Sequence, residues 1–366
     1  MLYLGIDQHS KQLTMSLRNE DGQVVLRRQV STRPDRMAAF WQEFRPQAEA
    51  AGGFMAVLET CGFNDWLIVQ LTQAGCREVV LIHPNKPSKR KTDRRDAQAL
   101  SELLWVNRLR LARGERTPGL RRVVIPHRLD QQMRGLTSQR QRLGRQRTKV
   151  LNQIQGLLRR YNLMWECPTK SFQTQAVQRW LTDLAGSSKL TRLERMNLSH
   201  WQAQWRLLDA QITELQELIV AYAARQPQVR LLQSIPGVGD YSGVALASRI
   251  GNIRRFPRAR SLANYFGLTP GCRNSGETTD RLGSITKDGS RLARFILGQL
   301  VLHVLKQDAK LRHWYQGIKR RRGSKIARVA VMRRLTTIIW HVLTHERPYE
   351  RGRQLSQPDR EIARAT

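Results

Sequence analysis

A chain of 366 residues with 63 Lys and Arg against 29 Asp and Glu carries a formal charge of +34. A field of that size and sign draws polyanions and releases their counterions, so nucleic acid is the expected partner. There is no apolar run of about 18 residues and no signal-peptide pattern, which argues against a membrane or secreted protein.

The four cysteines (Cys61, Cys76, Cys167, Cys272) lie far apart without CxxC spacing. That argues against structural zinc or a disulfide framework and fits a reducing cytosol. The expectation is a cytoplasmic, nucleoid-associated protein of two or three domains that makes no membrane contact.

The first 110 residues alternate strand and helix signals. LYLGID is a short apolar run ending at Asp7, and Leu13–Val30 reads as two strands around the turn Asn19–Gly22. Residues 34–44 are predicted helical, with Pro34 in the first turn. FMAVLET is a buried strand ending at Glu59; a helix near 64–74, the strand EVVLIHP and a helix from about 93 to 109 follow. A three-strand meander followed by alternating helices and strands is the order of a ribonuclease-H-like α/β domain, assigned to residues 1–125.

Residues 126–225 carry a seven-residue beat. Leu129, Met133, Leu136, Arg140, Leu143, Arg147, Val150, Ile154, Leu157 and Tyr161 keep strict 4-3 spacing. So do Leu198, Trp201, Trp205, Leu208, Ile212, Leu215, Ile219 and Tyr222. This periodicity predicts a coiled coil or long helical hairpin, within or between subunits. Arg140 and Arg147 interrupt the first seam. Either the seam opens there, or it meets phosphate, or the arginines snorkel from a partly exposed interface. Residues 165–190, with Pro168 and the Gly186–Ser188 turn, are read as a linker.

In residues 226–348 the turn Pro236–Gly239 joins two apolar helical stretches. It is either a helix-hairpin-helix turn, offering backbone N–H groups at Gly237 and Gly239 to a phosphate, or an ordinary helical hairpin. Helices are predicted at about 290–306 and 325–344, separated by Lys319, Arg320, Arg321 and Arg322. The basic segment 349–366 is predicted to be disordered. The fold class is thus α/β followed by all-α.

Four carboxylates stand out. Asp7 and Glu59 each close a strand, where functional side chains of α/β sheets gather. Asp93 and Asp96, three residues apart at a helix start, share one face. Taken singly, Asp93 could merely favour the helix N-terminus, and Asp96 could pair with Arg94 or Arg95. Converging, the four would form the oxygen-rich environment that Mg2+ or Mn2+ takes. Two such ions roughly 3.5–4 Å apart can activate a nucleophile and stabilise a leaving oxygen at one phosphodiester. The basic collar of Lys86, Lys89, Arg90, Lys91 and Arg94 would then face the DNA backbone.

GIDQHS with Asp7, VLETCG with Glu59 and KTDRRDAQAL with Asp93 and Asp96 resemble the DEDD set of the Piv-like insertion-sequence transposases, whose N-terminal domain resembles the junction resolvase RuvC. Residues 234–294 are similar to that family's second, transposase domain, and the likeness extends over residues 1 to about 345. The resemblance implies that Ser275, in RNSGE, is a nucleophile that holds DNA through a phosphoserine linkage. Arg273, Arg281 and Lys287 flank that serine in sequence, where they could stabilise phosphate charge in the transition state or simply contact the DNA backbone. It also implies double-stranded DNA substrates (element ends and target), an element-encoded guide RNA of the bridge or seeker kind, and a tetramer built as a dimer of dimers.

The residues themselves say less. Ser290 is most simply a helix N-cap or first-turn residue, and Ser284 could contact phosphate. Ser275 sits in a loop without histidine, so any activating base must come from elsewhere. A metal-dependent nuclease using water and a non-catalytic nucleic-acid scaffold are the competing expectations.

Overall fold

The computed structural model describes residues 1–83, 93–115, 117, 119–272 and 282–350. Lys86, Lys89, Arg90, Lys91, Arg273, Ser275, Arg281 and the tail from 351 onward lie outside the described residues. The chain divides into one unit of Met1–Ile125 and another beginning at Pro126.

The first unit contains β1 (Leu2–Gln8), β2 (Gln12–Arg18), β3 (Val24–Ser31), α1 (Pro34–Ala50), β4 (Phe54–Glu59), α2 (Asp65–Gln73), β5 (Cys76–Ile82), α3 (Asp93–Val106) and α4 (Arg108–Ala112). The five strands form one sheet in the order β3-β2-β1-β4-β5. β1–β2 and β2–β3 pair antiparallel, whereas β1–β4 and β4–β5 pair parallel.

Strand alternation separates the two faces. Leu4, Ile6, Ala56 and Leu58 join Phe40, Trp41 and Phe44 of α1 and Leu67 and Leu71 of α2 in one core. Tyr3, Val57, Val80 and Ile82 face the other way, onto Leu100 and Leu104 of α3. α1 runs to Ala50, beyond the predicted end near 44, and contains Pro46. The reason is packing: Met37, Phe40, Trp41, Phe44 and Ala48 keep one buried stripe past the proline. The helix expected to reach 109 instead breaks at Asn107, whose Nδ2 donates to the Leu103 carbonyl at 2.9 Å.

The second unit contains α5 (Arg128–Arg160), α6 (Gln175–Gly186), α7 (Arg192–Ala223), α8 (Pro227–Gln233), α9 (Asp240–Ile250), α10 (Ala259–Tyr265), β6 (Pro270–Cys272), β7 (Leu282–Ile285), α11 (Arg291–Gln307) and α12 (Ala309–Thr344). α5 and α7 lie antiparallel, because their cross-pairs run in opposite directions along the two helices: Arg140–Gln216, Arg147–Asp209 and Arg160–Glu194. α7 opens on a capping box, with Thr191 and Glu194 satisfying each other's backbone N–H groups.

Three expectations need correction here. The supposed linker 165–190 contains the helix α6, capped by Thr174, which buries Val177, Leu181 and Leu184 against α5 and α7; its 3-4 apolar spacing outweighs the flanking Pro168 and Gly186. Lys319–Arg322 does not separate two helices. Asp308 caps α12 through a 2.9 Å bond from the Leu311 amide, arginine and lysine extend a helix readily, and the break comes at Gly323, where φ is +81°. Finally, position 349 is docked, since Tyr349 donates its amide to Ser234 Oγ at 2.8 Å and its hydroxyl to Asp308 Oδ2 at 2.7 Å.

Candidate active site

The site begins with a backbone register. The parallel β1–β4 ladder runs as far as the rung Ile6↔Leu58. One residue further each strand carries a carboxylate, Asp7 and Glu59, and alternation turns both toward the face that α3 covers.

α3 reaches that face closely because of Gly5. A Cβ there would lie 2.3 Å from the Ser101 amide nitrogen and 2.4 Å from the Ala97 carbonyl oxygen. A hydrogen bond between the Ser16 and Ser101 hydroxyls, 3.0 Å long and buried, ties the same turn of α3 to β2. This packing brings the first turn of α3, with Asp93 and Asp96, to the end of β1.

Asp7, with a side chain only 17% exposed, meets His9, whose Nε2 lies 3.2 Å from Asp7 Oδ2 and 3.5 Å from Asp93 Oδ1. Burial raises the Asp7 carboxyl above the ordinary carboxylate range, and the charges of Asp93 and Asp96 push the same way, while His9 opposes them. One ligand atom from each of Asp7, His9 and Asp93 falls within 4.8 Å of the others. Negative charges driven together at a half-buried point, with hard oxygen donors and one imidazole, suit a divalent cation.

Sequence reasoning missed His9. It lies two residues beyond Asp7, in the turn closed by its own N–H to the Gln12 carbonyl at 3.0 Å, and such a turn residue has no periodic signature.

Asn64 was missed too. It is 6% exposed. Its Nδ2 donates to Glu59 O at 2.9 Å and to Gln8 Oε1 at 2.8 Å, and its Oδ1 accepts from the Cys61 amide at 3.0 Å. Gln8 in turn donates to the Phe63 carbonyl at 3.0 Å. The two amides therefore lace the ends of β1 and β4 together directly behind Asp7 and Glu59.

The other expected binding residues fall elsewhere. Arg94 is exposed on the first turn of α3. Arg147 donates to Asp209 at 2.8 Å, and Arg140 donates to Gln216 at 3.1 Å while lying 4.4 Å over the Tyr241 ring. Both arginines are thus engaged inside the second unit. At the Pro236–Gly239 turn, the Gly239 amide donates to Ser242 Oγ at 3.0 Å. A Cβ on Gly237 (φ +87°) would lie 2.5 Å from His303 Cβ of α11, so close packing is what demands this glycine.

Lys287, with φ +60°, is exposed, and its amide donates to the Gly267 carbonyl at 3.1 Å. Lys319, Arg320, Arg321 and Arg322 are all exposed on α12. Ser290 caps α11, accepting from the Ala293 amide at 3.2 Å and from buried Arg249 at 3.0 Å. The Arg249 guanidinium also donates to Thr137 and Ser138 of α5 at 3.0 and 2.8 Å. Burial lowers its pKa to about 10.

Comparison with known proteins adds a second line of observation. Residues 4–163 match a family model described as a transposase of the DEDD IS110 type, and residues 229–316 match one described as the transposase IS116/IS110/IS902 family. The chain is 28% identical over 303 residues to the transposase for insertion sequence element IS1111A of Coxiella burnetii, an alignment covering 81% of this chain and 79% of that protein. It is 26% identical to the putative transposase y4pF/y4sB of Sinorhizobium fredii over 98% of this chain and 88% of that one. A pilin gene-inverting protein of Moraxella bovis is 29% identical over 42% of this chain and 48% of its own length.

Proposed function

Because the chain belongs to the IS110-type DEDD transposases, and so is a DNA transposase or recombinase, we propose that it cuts and rejoins DNA strands through a divalent-metal site at the end of β1 and a nucleophilic serine, Ser275. The observation that carries the reading is the meeting of Asp7 and Asp93, from a strand and a helix far apart in sequence, at one half-buried point. The strand order β3-β2-β1-β4-β5, antiparallel on one side and parallel on the other, supports a ribonuclease-H-like (RuvC-like) domain over residues 1–125.

Asp7, Glu59, Asp93 and Asp96 are the residues that would hold Mg2+ or Mn2+. When bound, the ion lowers the pKa of an oxygen it touches and offsets charge on the phosphate. Ser275 lies inside the second family match. Its Oγ gives up its proton and forms a bond to phosphorus as a P–O bond to deoxyribose breaks; the leaving oxygen keeps the electron pair and takes a proton. A hydroxyl at another DNA end then loses its proton as it attacks the same phosphorus, and Ser275 Oγ leaves with its electrons and is reprotonated. Phosphodiester energy is conserved in the linkage, so no nucleotide triphosphate is required.

Residues 126–225, with their paired helices, serve oligomerisation in this reading, as a coiled coil of a tetramer assembled from two dimers. Residues 226–348 carry the serine. Base pairing to an element-encoded guide RNA reads both DNA partners, while Arg94, Lys287 and the exposed Lys319–Arg322 run engage backbone phosphate. Among the described residues, no helix is long and apolar enough to cross a membrane.

The test uses purified protein with Mg2+, labelled element-junction DNA and the element's RNA. A protein–DNA adduct resistant to SDS, present in the wild type and absent in Ser275→Ala and Asp93→Asn, is the expected result. Cleavage without adduct that persists in Ser275→Ala would leave a metal-dependent nuclease using water. No cleavage under any metal would leave a nucleic-acid scaffold.

A further inference from the structure

We infer that His9 is a ligand of the metal held by the carboxylates, so that an imidazole nitrogen joins the oxygens of Asp7 and Asp93 in the donor set of this site. The inference rests on the metal site proposed above and specifies its donor set.

Three observations carry it. First, a single nitrogen, Nε2, faces both carboxylates, at 3.2 Å from Asp7 Oδ2 and 3.5 Å from Asp93 Oδ1. A histidine present only to neutralise two carboxylates could offer one ring nitrogen to each; here one ring atom serves both, as one vertex of a coordination shell does.

Second, the spacings suit such a shell. Ligand atoms about 2.1–2.2 Å from an ion stand about 3.0 Å apart at neighbouring octahedral vertices. The two nitrogen–oxygen separations close onto such vertices with shifts of a few tenths of an ångström, and one ligand atom from each of the three residues lies within 4.8 Å of the others.

Third, the backbone presents His9 for the task. The β1–β2 turn is closed by the His9 amide on Gln12 O at 3.0 Å. Beneath it, buried Gln8 is held by bonds to Phe63 O and Asn64. The ring stands half-exposed above this anchored base.

The donor set has a consequence for metal choice. Mg2+ takes oxygen ligands almost exclusively, whereas first-row transition ions accept imidazole readily, with affinities rising from Mn2+ onward. This site therefore favours Mn2+ over Mg2+ more than four carboxylates alone would.

The experiment adds Mn2+ alone to the full-length protein. Binding is followed by the free-ion EPR signal, and the ligands of the bound ion by electron spin-echo modulation. The expected result is a 14N modulation from a directly bound imidazole in the wild type. In His9→Ala that modulation disappears and Mn2+ binding weakens by roughly tenfold or more. His9→Asp, which returns an oxygen ligand, should restore binding without the 14N signal and lower the Mn2+-to-Mg2+ affinity ratio.

Tight Mn2+ binding that shows no 14N modulation, or that is unchanged in His9→Ala while Asp7→Asn abolishes it, would overturn His9 as a ligand and leave the carboxylate site standing. Mn2+ binding indifferent to both Asp7→Asn and His9→Ala would overturn the metal site itself.

Discussion

Gly5 of β1 and Ser101 of α3 are packed backbone to backbone, with no room for a methyl group between them: a Cβ on Gly5 would stand 2.3 Å from the Ser101 nitrogen. Both obstructing atoms, the Ser101 nitrogen and the Ala97 oxygen, belong to the backbone, so no rotamer change relieves the clash.

Gly5→Ala should therefore push α3 off the sheet, at a cost of about 1–3 kcal/mol or more. Because α3 carries Asp93 and Asp96, the displacement should also reduce Mn2+ binding. Chemical denaturation and metal titration of the same variant check both effects; unchanged metal affinity would disconnect this close packing from the site.

Asp7 gives the protein a pH signature. Its carboxyl is raised by burial and by Asp93 and Asp96, so the folded state holds this proton more tightly than the unfolded chain, whose carboxyl titrates near about 3.9. Between those two values the native state binds the extra proton, and stability falls as pH rises through the window. Above it the full penalty is in place. With EDTA present at neutral pH, Asp7→Asn should melt higher than the wild type and lose this part of the pH slope. With Mn2+ added, the wild type should gain stability and the variant should not. Melting curves from pH 4 to 8 decide it.

Asn64→Ala leaves the Cys61 amide, the Gln8 side chain and the Glu59 carbonyl each short of a partner in a buried place. The expected loss is about 1–3 kcal/mol. Asn64→Asp keeps an acceptor for Cys61 but brings no N–H to Gln8 or Glu59, and should not rescue the loss. Hydrogen exchange at the ends of β1 and β4 would locate the loosening.

Two groups of arginines should separate by salt dependence. Arg147 is held by Asp209, so a double-mutant cycle on that pair should give a coupling of about 0.5–3 kcal/mol in stability. The slope of DNA affinity against salt should be unaffected by Arg147→Met. Alanine at Arg320, Arg321 or Arg322 should leave stability nearly unchanged and reduce that slope by about 0.9 for each phosphate no longer neutralised.

Arg249 holds Ser290, Thr137 and Ser138 with one planar fork. A lysine cannot reproduce that fork. Arg249→Lys should cost about 1.5–3 kcal/mol and loosen the start of α11, visible as faster amide exchange at Leu292 and Ala293.

Much of this architecture is legible in the residues. Short continuous apolar runs mark β1, β4 and β5, and the carboxylates that close β1 and β4 and open α3 mark the metal site. The 4-3 beats mark α5 and α7. Legibility fails where tertiary packing decides. His9 and Asn64 act through turns that bring distant strand ends together, which no local pattern encodes. α6 hides between a proline and a glycine, yet its apolar face finds a partner on α7. The arginines in the α5 seam admit several readings in sequence, and only the fold shows Asp209 and Gln216 opposite them.

The placement of the carboxylates also sets an order in time. Chains emerge from the ribosome N-terminus first at about 5–20 residues per second, so Asp7 waits on the order of ten seconds for Asp96. The β1–β2–β3 meander needs only neighbouring strands and can form early, whereas β4 pairs with β1 only after α1 has been made, and α3 follows β5 in the chain. Cation capture thus becomes possible only when α3 docks on the sheet. A metal ion bound at Asp7 would then mark that docking, and Mn2+ uptake by ribosome-held chains of increasing length would time it.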